Sequence, residues 1–148
     1  MKVKIIDRKN YLISIDKIKN RVYFQLHGQC LWEEKDMDFL FLDWKDTIEE
    51  TKKNFTILSD IRNLQIQSPK LDKAHEKTQK YVSENGLLKI ARVLSKNNDI
   101  VNLQFGRIIK RSEMPSDIFY LPQDAEEYLD KVVKQFEESQ KNNRNNAS

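Results

Sequence analysis

From Phe55 to Leu129, short apolar runs alternate with stretches of helical period, and this alternation constrains the fold more than any other feature of the chain. Phe55 to Leu58 is a compact apolar run. Leu88 to Leu94 (LKIARVL) and Ile118 to Leu121 (IFYL) are two more. Between and after them, Leu71, Ala74, His75, Thr78 and Val82, then Ile100 to Lys110, then Ala125, Tyr128, Leu129, Val132, Val133 and Phe136 recur at helical spacing. Strands separated by helices pair in parallel through right-handed crossovers, so the pattern predicts an α/β sheet rather than a bundle or a sandwich.

The N-terminal third extends that sheet differently. Val3 to Ile6, Tyr11 to Ile15 and Arg21 to Gly28 read as strands, the second with Tyr11, Ile13 and Ile15 on one face and the third with Val22, Phe24 and Leu26. The turn at Lys19-Asn20-Arg21 makes the last two antiparallel neighbours. From Glu33 to Lys53, Met37, Leu40, Phe41, Trp44 and Ile48 form a helical stripe, with an acidic start and Lys52-Lys53 at its end to suit the helix dipole. Phe39 and Leu42 lie outside the stripe, as does Trp32 ahead of it. Ser68-Pro69 carries the signature of a helix start, and Asn85-Gly86 that of a helix end. The order is ββ(β)αβαβαβα with four helices, and 1–137 is expected to be one domain. Residues 138–148 are polar and low in complexity and read as a disordered tail.

Charge excludes little. With 26 Lys+Arg against 23 Asp+Glu, nothing demands a nucleic acid partner, and none is expected. Eight acids and four lysines fall within residues 33–53, whereas six bases and one acid fall within residues 86–112. Solvated helix faces or a polarity that orients a partner would both produce that segregation. Cys30 is the only cysteine, which precludes an internal disulfide, suits a reducing compartment and reads as a packed residue. No run reaches the ~20 apolar residues of a transmembrane helix. The N-terminus has no signal-peptide pattern, so a cytoplasmic location is the expectation.

The chemistry-bearing residues are few. His27 and His75 are the only histidines and lack metal-ligand spacing, so no metal or other cofactor is expected. Cys30 has no histidine at a motif spacing, and three glycines make no phosphate-cradling loop, so an enzyme is not expected. Asp60 and Arg62 follow a strand where α/β proteins place ligand sites, and either a ligand contact or a structural ion pair fits them. Ser68 is an N-cap, a phosphorylation site, or both.

This order resembles the STAS superfamily, in particular its SpoIIAA-like branch of small bacterial domains. The resemblance spans roughly residues 10–135. It rests on the opening strand ending in Gly28, the strand-to-Asp60 junction, the helix starting near Ser68, the strand LKIARVLS before a polar helix start, and the terminal DAEEYLDKV helix. It implies a mixed β-sheet with antiparallel N-terminal edge strands. It further implies a non-enzymatic protein-binding or partner-switching module, similar to the anti-sigma-factor antagonists, whose partner is a kinase or regulatory factor. Asp60, Arg62, Ser68 and Lys70 would form that surface, with Ser68 at the position phosphorylated in the family. Gln67 and Pro69-Lys70 stand where the family motif has an acid and a small pair. Some SpoIIAA-like proteins look like carriers of small apolar or lipid-like ligands, which would place Phe39, Leu42, Ile100 and Phe105 around a pocket. A structural homodimer is a third expectation.

Overall fold

The computed structural model describes residues 2–28, 32–65 and 67–146. Three strands open the chain, β1 (Lys2–Asp7), β2 (Tyr11–Asp16) and β3 (Arg21–Leu26), followed by α1 (Glu34–Glu49) and β4 (Phe55–Asp60). A 3₁₀ turn at Pro69–Leu71 runs into α2 (Asp72–Glu84), and β5 (Leu87–Val93), α3 (Asp99–Ser112), β6 (Ser116–Phe119) and α4 (Pro122–Asn146) complete the order. The six strands form one sheet in the order β1-β2-β3-β4-β5-β6. β1, β2 and β3 pair antiparallel, and β3 to β6 pair parallel. The α/β class, the antiparallel N-terminal edge and the four helices are therefore as the sequence predicts.

Because each crossover advances the sheet in the same direction, crossovers of one hand put α1, α2 and α3 on one face. The core there is the larger one, with Tyr11, Ile13, Ile15, Phe55, Ile57 and Ile90 under Met37, Leu40, Trp44, Val82 and Phe105. α4 covers the opposite face alone, through Ala125 and Leu129 on Leu58, Ala91 and Val93. Strand alternation does the sorting: Ile57, Ser59, Ile90 and Arg92 face α1–α3, whereas Leu58, Asp60, Ala91 and Val93 face α4.

Local signals account for most boundaries. Glu33 caps α1 through a capping box in which the Asp36 carboxylate accepts the Glu33 backbone N–H at 2.7 Å. Lys52 and Lys53 lie beyond the end of α1, which has no basic residue in its last turn, so the expected dipole pairing is corrected. Gly86 has φ +102° and closes α2, and its carbonyl accepts the Asn54 N–H at 2.7 Å. α4 continues helically to Asn146, where composition predicts a disordered tail. That last stretch is exposed, and Glu, Gln and Lys are good helix formers that extend a helix already nucleated by packing.

Candidate functional site

At the carboxyl ends of β3, β4 and β5, the sheet and α1–α3 do not close completely. A partly open cavity of about 70 Å³ remains. Its walls are mostly apolar: Phe24, Leu26, Leu40, Trp44, Ile57 and Ile90 all line it and all are buried. Trp32, Leu64 and Gln67 line it while keeping partial exposure, so the cavity approaches the surface beside them. Trp32 stacks on Tyr11 at 5.8 Å between centroids, Tyr11 on Phe24 at 5.5 Å, and Phe24 on Trp44 at 5.7 Å. This aromatic row stiffens one wall.

Five polar side chains converge on this apolar space: Ser59, His75, Thr78, Gln79 and Arg92, all buried. Arg92 projects from β5 and is 3% exposed. Its Nη2 donates to Gln79 Oε1 at 3.2 Å and to Met114 Sδ at 3.0 Å, and its guanidinium lies 5.0 Å from the Phe105 ring centroid. Its Nε has no partner, and among the described residues no carboxylate pairs with it. Burial pushes the guanidinium pKa down to about 9, which still leaves it cationic at neutral pH. A buried charge without a counter-charge costs several kcal/mol.

His75 Nε2 lies 2.5 Å from Gln67 Oε1. Gln67 is also tied to α3, its N–H donating to Gln104 Oε1 at 3.3 Å and its carbonyl accepting from Gln104 Nε2 at 2.8 Å. These three bonds fasten the loop after β4 across the cavity. Burial holds the His75 pKa at about 4, against 6.5 unperturbed. Between those values the unfolded chain binds a proton that the folded chain refuses, so stability falls as pH falls through the window. Urea melts at pH 7 and pH 5 are expected to differ by about 2 kcal/mol, with pH 5 the less stable. A His75→Gln variant is expected to lose most of that difference; an equal pH response in the variant would contradict the burial argument.

The residues that the sequence singles out fall in three places. Asp60 and Arg62 close on each other, with Nε–Oδ1 at 2.9 Å and Nη2–Oδ2 at 2.7 Å, and Asp60 faces the α4 side of the sheet, away from the cavity. Ser68 and Lys70 are exposed. The Ser68 hydroxyl caps the 3₁₀ turn by accepting the Lys70 N–H at 3.3 Å, so capping describes its present contact. Of the expected pocket residues, only Phe105 lines the cavity. Phe39 and Leu42 on α1 and Ile100 on α3 are corrected to outward positions, 45%, 54% and 69% exposed. The helical period turns Leu40, Trp44 and Val101 inward instead, and Phe39 lies 5.0 Å from the Arg8 guanidinium. Cys30 lies outside the described residues.

Arg92 and His75 carry the polar chemistry of the cavity, and sequence reasoning placed one in a strand and the other in a helix stripe without a role. The available signal was an arginine at an inward-facing position of the apolar strand LKIARVL. Among the described residues, no group of three or more His, Cys, Asp or Glu is placed to hold a metal ion, and no helix is long and apolar enough to cross a membrane. No protein-family model, curated protein or solved structure matches the chain.

Proposed function

We propose that this chain is a SpoIIAA-like, non-enzymatic binding domain that holds a small, largely apolar organic molecule between its sheet and α1–α3. One observation carries the reading: an apolar cavity with convergent buried polar groups sits at the carboxyl ends of the parallel strands, where open α/β sheets place their ligands. A role in binding rather than catalysis is supported by His75. Its depressed pKa and its bond to Gln67 make it a poor general base near neutrality.

The chain's two tryptophans, Trp32 and Trp44, both line the cavity, so intrinsic fluorescence reports occupancy directly. Native mass spectrometry of freshly purified protein is expected to find a retained small organic mass, or a titration with a short aliphatic alcohol to shift the tryptophan emission. A clean apo mass together with no spectral response to alcohols or acids would count against the reading.

A protein partner at the Asp60–Leu71 corner is a second reading, favoured by a specific link. Arg62, Ser68 and Lys70 are exposed there, while Gln67 in the same corner bonds to His75 at the cavity. A partner docked on this corner would therefore sense what fills the cavity. Charge added at Ser68 would weaken its capture, and equal capture by wild type, Ser68→Ala and Ser68→Asp would remove the switch.

A further inference from the structure

We propose that the cavity takes an organic monocarboxylate, its carboxylate paired with the Arg92 guanidinium and its hydrocarbon or aromatic part lying against the apolar wall. The proposal rests on the binding-domain reading and names the class of its ligand.

Two arginines of the chain are buried, Arg21 and Arg92. Arg21 is 1% exposed, and its positive charge is matched: Nη1 lies 2.8 Å from Asp130 and 3.0 Å from Glu126, while Nε donates to Thr56 Oγ1 at 2.9 Å. Arg92, buried to the same degree, has a neutral amide, a thioether and an aromatic face in place of carboxylates. Its side chain lines the cavity, and its Nε is buried without a partner. A side chain needed only for volume would be better served by methionine or leucine, because a buried ion replaced by a packed hydrophobe is often neutral or stabilising. An anion brought by a ligand supplies the missing charge, and a charge-assisted hydrogen bond to carboxylate is among the stronger ones available to arginine.

Charge counting selects the class. Among the described residues Arg92 is the only cation lining the cavity, and His75 is neutral near pH 7, so one negative charge is balanced and a second is not. That favours a carboxylate over a phosphate monoester. The remaining polar lining groups, Ser59, Thr78 and Gln79 among them, are uncharged. The cavity of about 70 Å³ admits a small body, with any longer chain directed past Trp32 and Leu64.

The test titrates hexanoate, hexan-1-ol and hexyl phosphate into the full chain at pH 7, following tryptophan emission. Hexanoate is expected to bind roughly 10–100-fold more tightly than hexan-1-ol, the range of one charge-assisted hydrogen bond, and more tightly than hexyl phosphate. In Arg92→Met the acid and the alcohol are expected to bind within about 2-fold of each other, in a protein whose melting temperature is at or above that of wild type. The wild-type acid-to-alcohol ratio tests the proposal without the variant. Equal affinities for acid and alcohol, tighter binding of hexyl phosphate, or an undiminished acid preference in a folded Arg92→Met would each overturn the carboxylate assignment while leaving the cavity reading intact. Silence from all three probes would overturn both.

Discussion

Replacing Leu129 with alanine is expected to cost about 3 kcal/mol and to lower the melting temperature by roughly 6–12 °C. Leu129 has no exposed surface, and it belongs to the smaller of the two cores. On the α1–α3 face many large side chains share the packing. On the α4 face the buried members are Leu58, Ala91, Val93, Ala125 and Leu129. Two of those five are alanines with no longer side chain to swing into a void. The space left by the lost isopropyl group therefore stays open, which is the condition under which large-to-small substitutions cost most. Urea denaturation measures the loss, and hydrogen exchange should place the lost protection along α4. A loss below about 1 kcal/mol would mean that α4 is held by its charged contacts instead.

Those contacts give the second large effect. Arg21→Met is expected to destabilise the fold by about 3 kcal/mol, at the low end of what breaking a buried pair costs. Glu126 and Asp130 lie one turn apart on α4 and both reach the Arg21 guanidinium. Lys19 joins them at 2.7 and 3.3 Å, and the Tyr23 hydroxyl donates to Glu126 at 2.6 Å. The carboxylates keep 26% and 49% side-chain exposure, so they rehydrate when the arginine is lost, and that tempers the penalty. Burial alone would raise both carboxyl pKa values, but the hydrogen bonds and positive charges of Arg21 and Lys19 outweigh it and hold them below the usual range. Stability from this network is thus present above the ordinary carboxylate pKa and lost as pH falls through the lowered folded values. Acid titration of stability should be flatter in Arg21→Met than in wild type. An unchanged acid response would show that Lys19 alone sustains the network.

The sheet was legible because its signals are local and redundant. Each parallel strand is a short apolar run between helical periods, and Asn85-Gly86 and Ser68-Pro69 mark turns whose backbone chemistry few other residues satisfy. The extra length of α4 was not legible, since polar composition alone does not distinguish a solvated helix extension from a coil. The cavity was less visible still. Phe39 and Leu42 lie outside the α1 stripe and face solvent, whereas α1 lines the cavity from within its stripe through Leu40 and Trp44. Asp43 shows the same limit: it is buried on α1 because the Arg8 guanidinium and the Tyr11 hydroxyl reach it, at 2.9 and 2.6 Å, from β2 and the turn before it, more than thirty residues away. Partnerships of that range leave no mark in periodicity. Arg92 was hidden for the opposite reason: it has no carboxylate partner to be found.

The sequential order of the sheet bears on how the chain reaches this state. Every strand docks beside its immediate predecessor, so no strand pairing spans more than one helix and its connecting loops. Contacts between neighbours in sequence lower the entropy to be overcome before pairing is rewarded, and chains of that kind fold faster than parallel sheets with distant pairings. The β1–β2–β3 meander can nucleate on its own turns, and β4, β5 and β6 then add outward one at a time. A nascent chain emerging N-terminus first would lay down its strands in the same sequence in which they stand side by side.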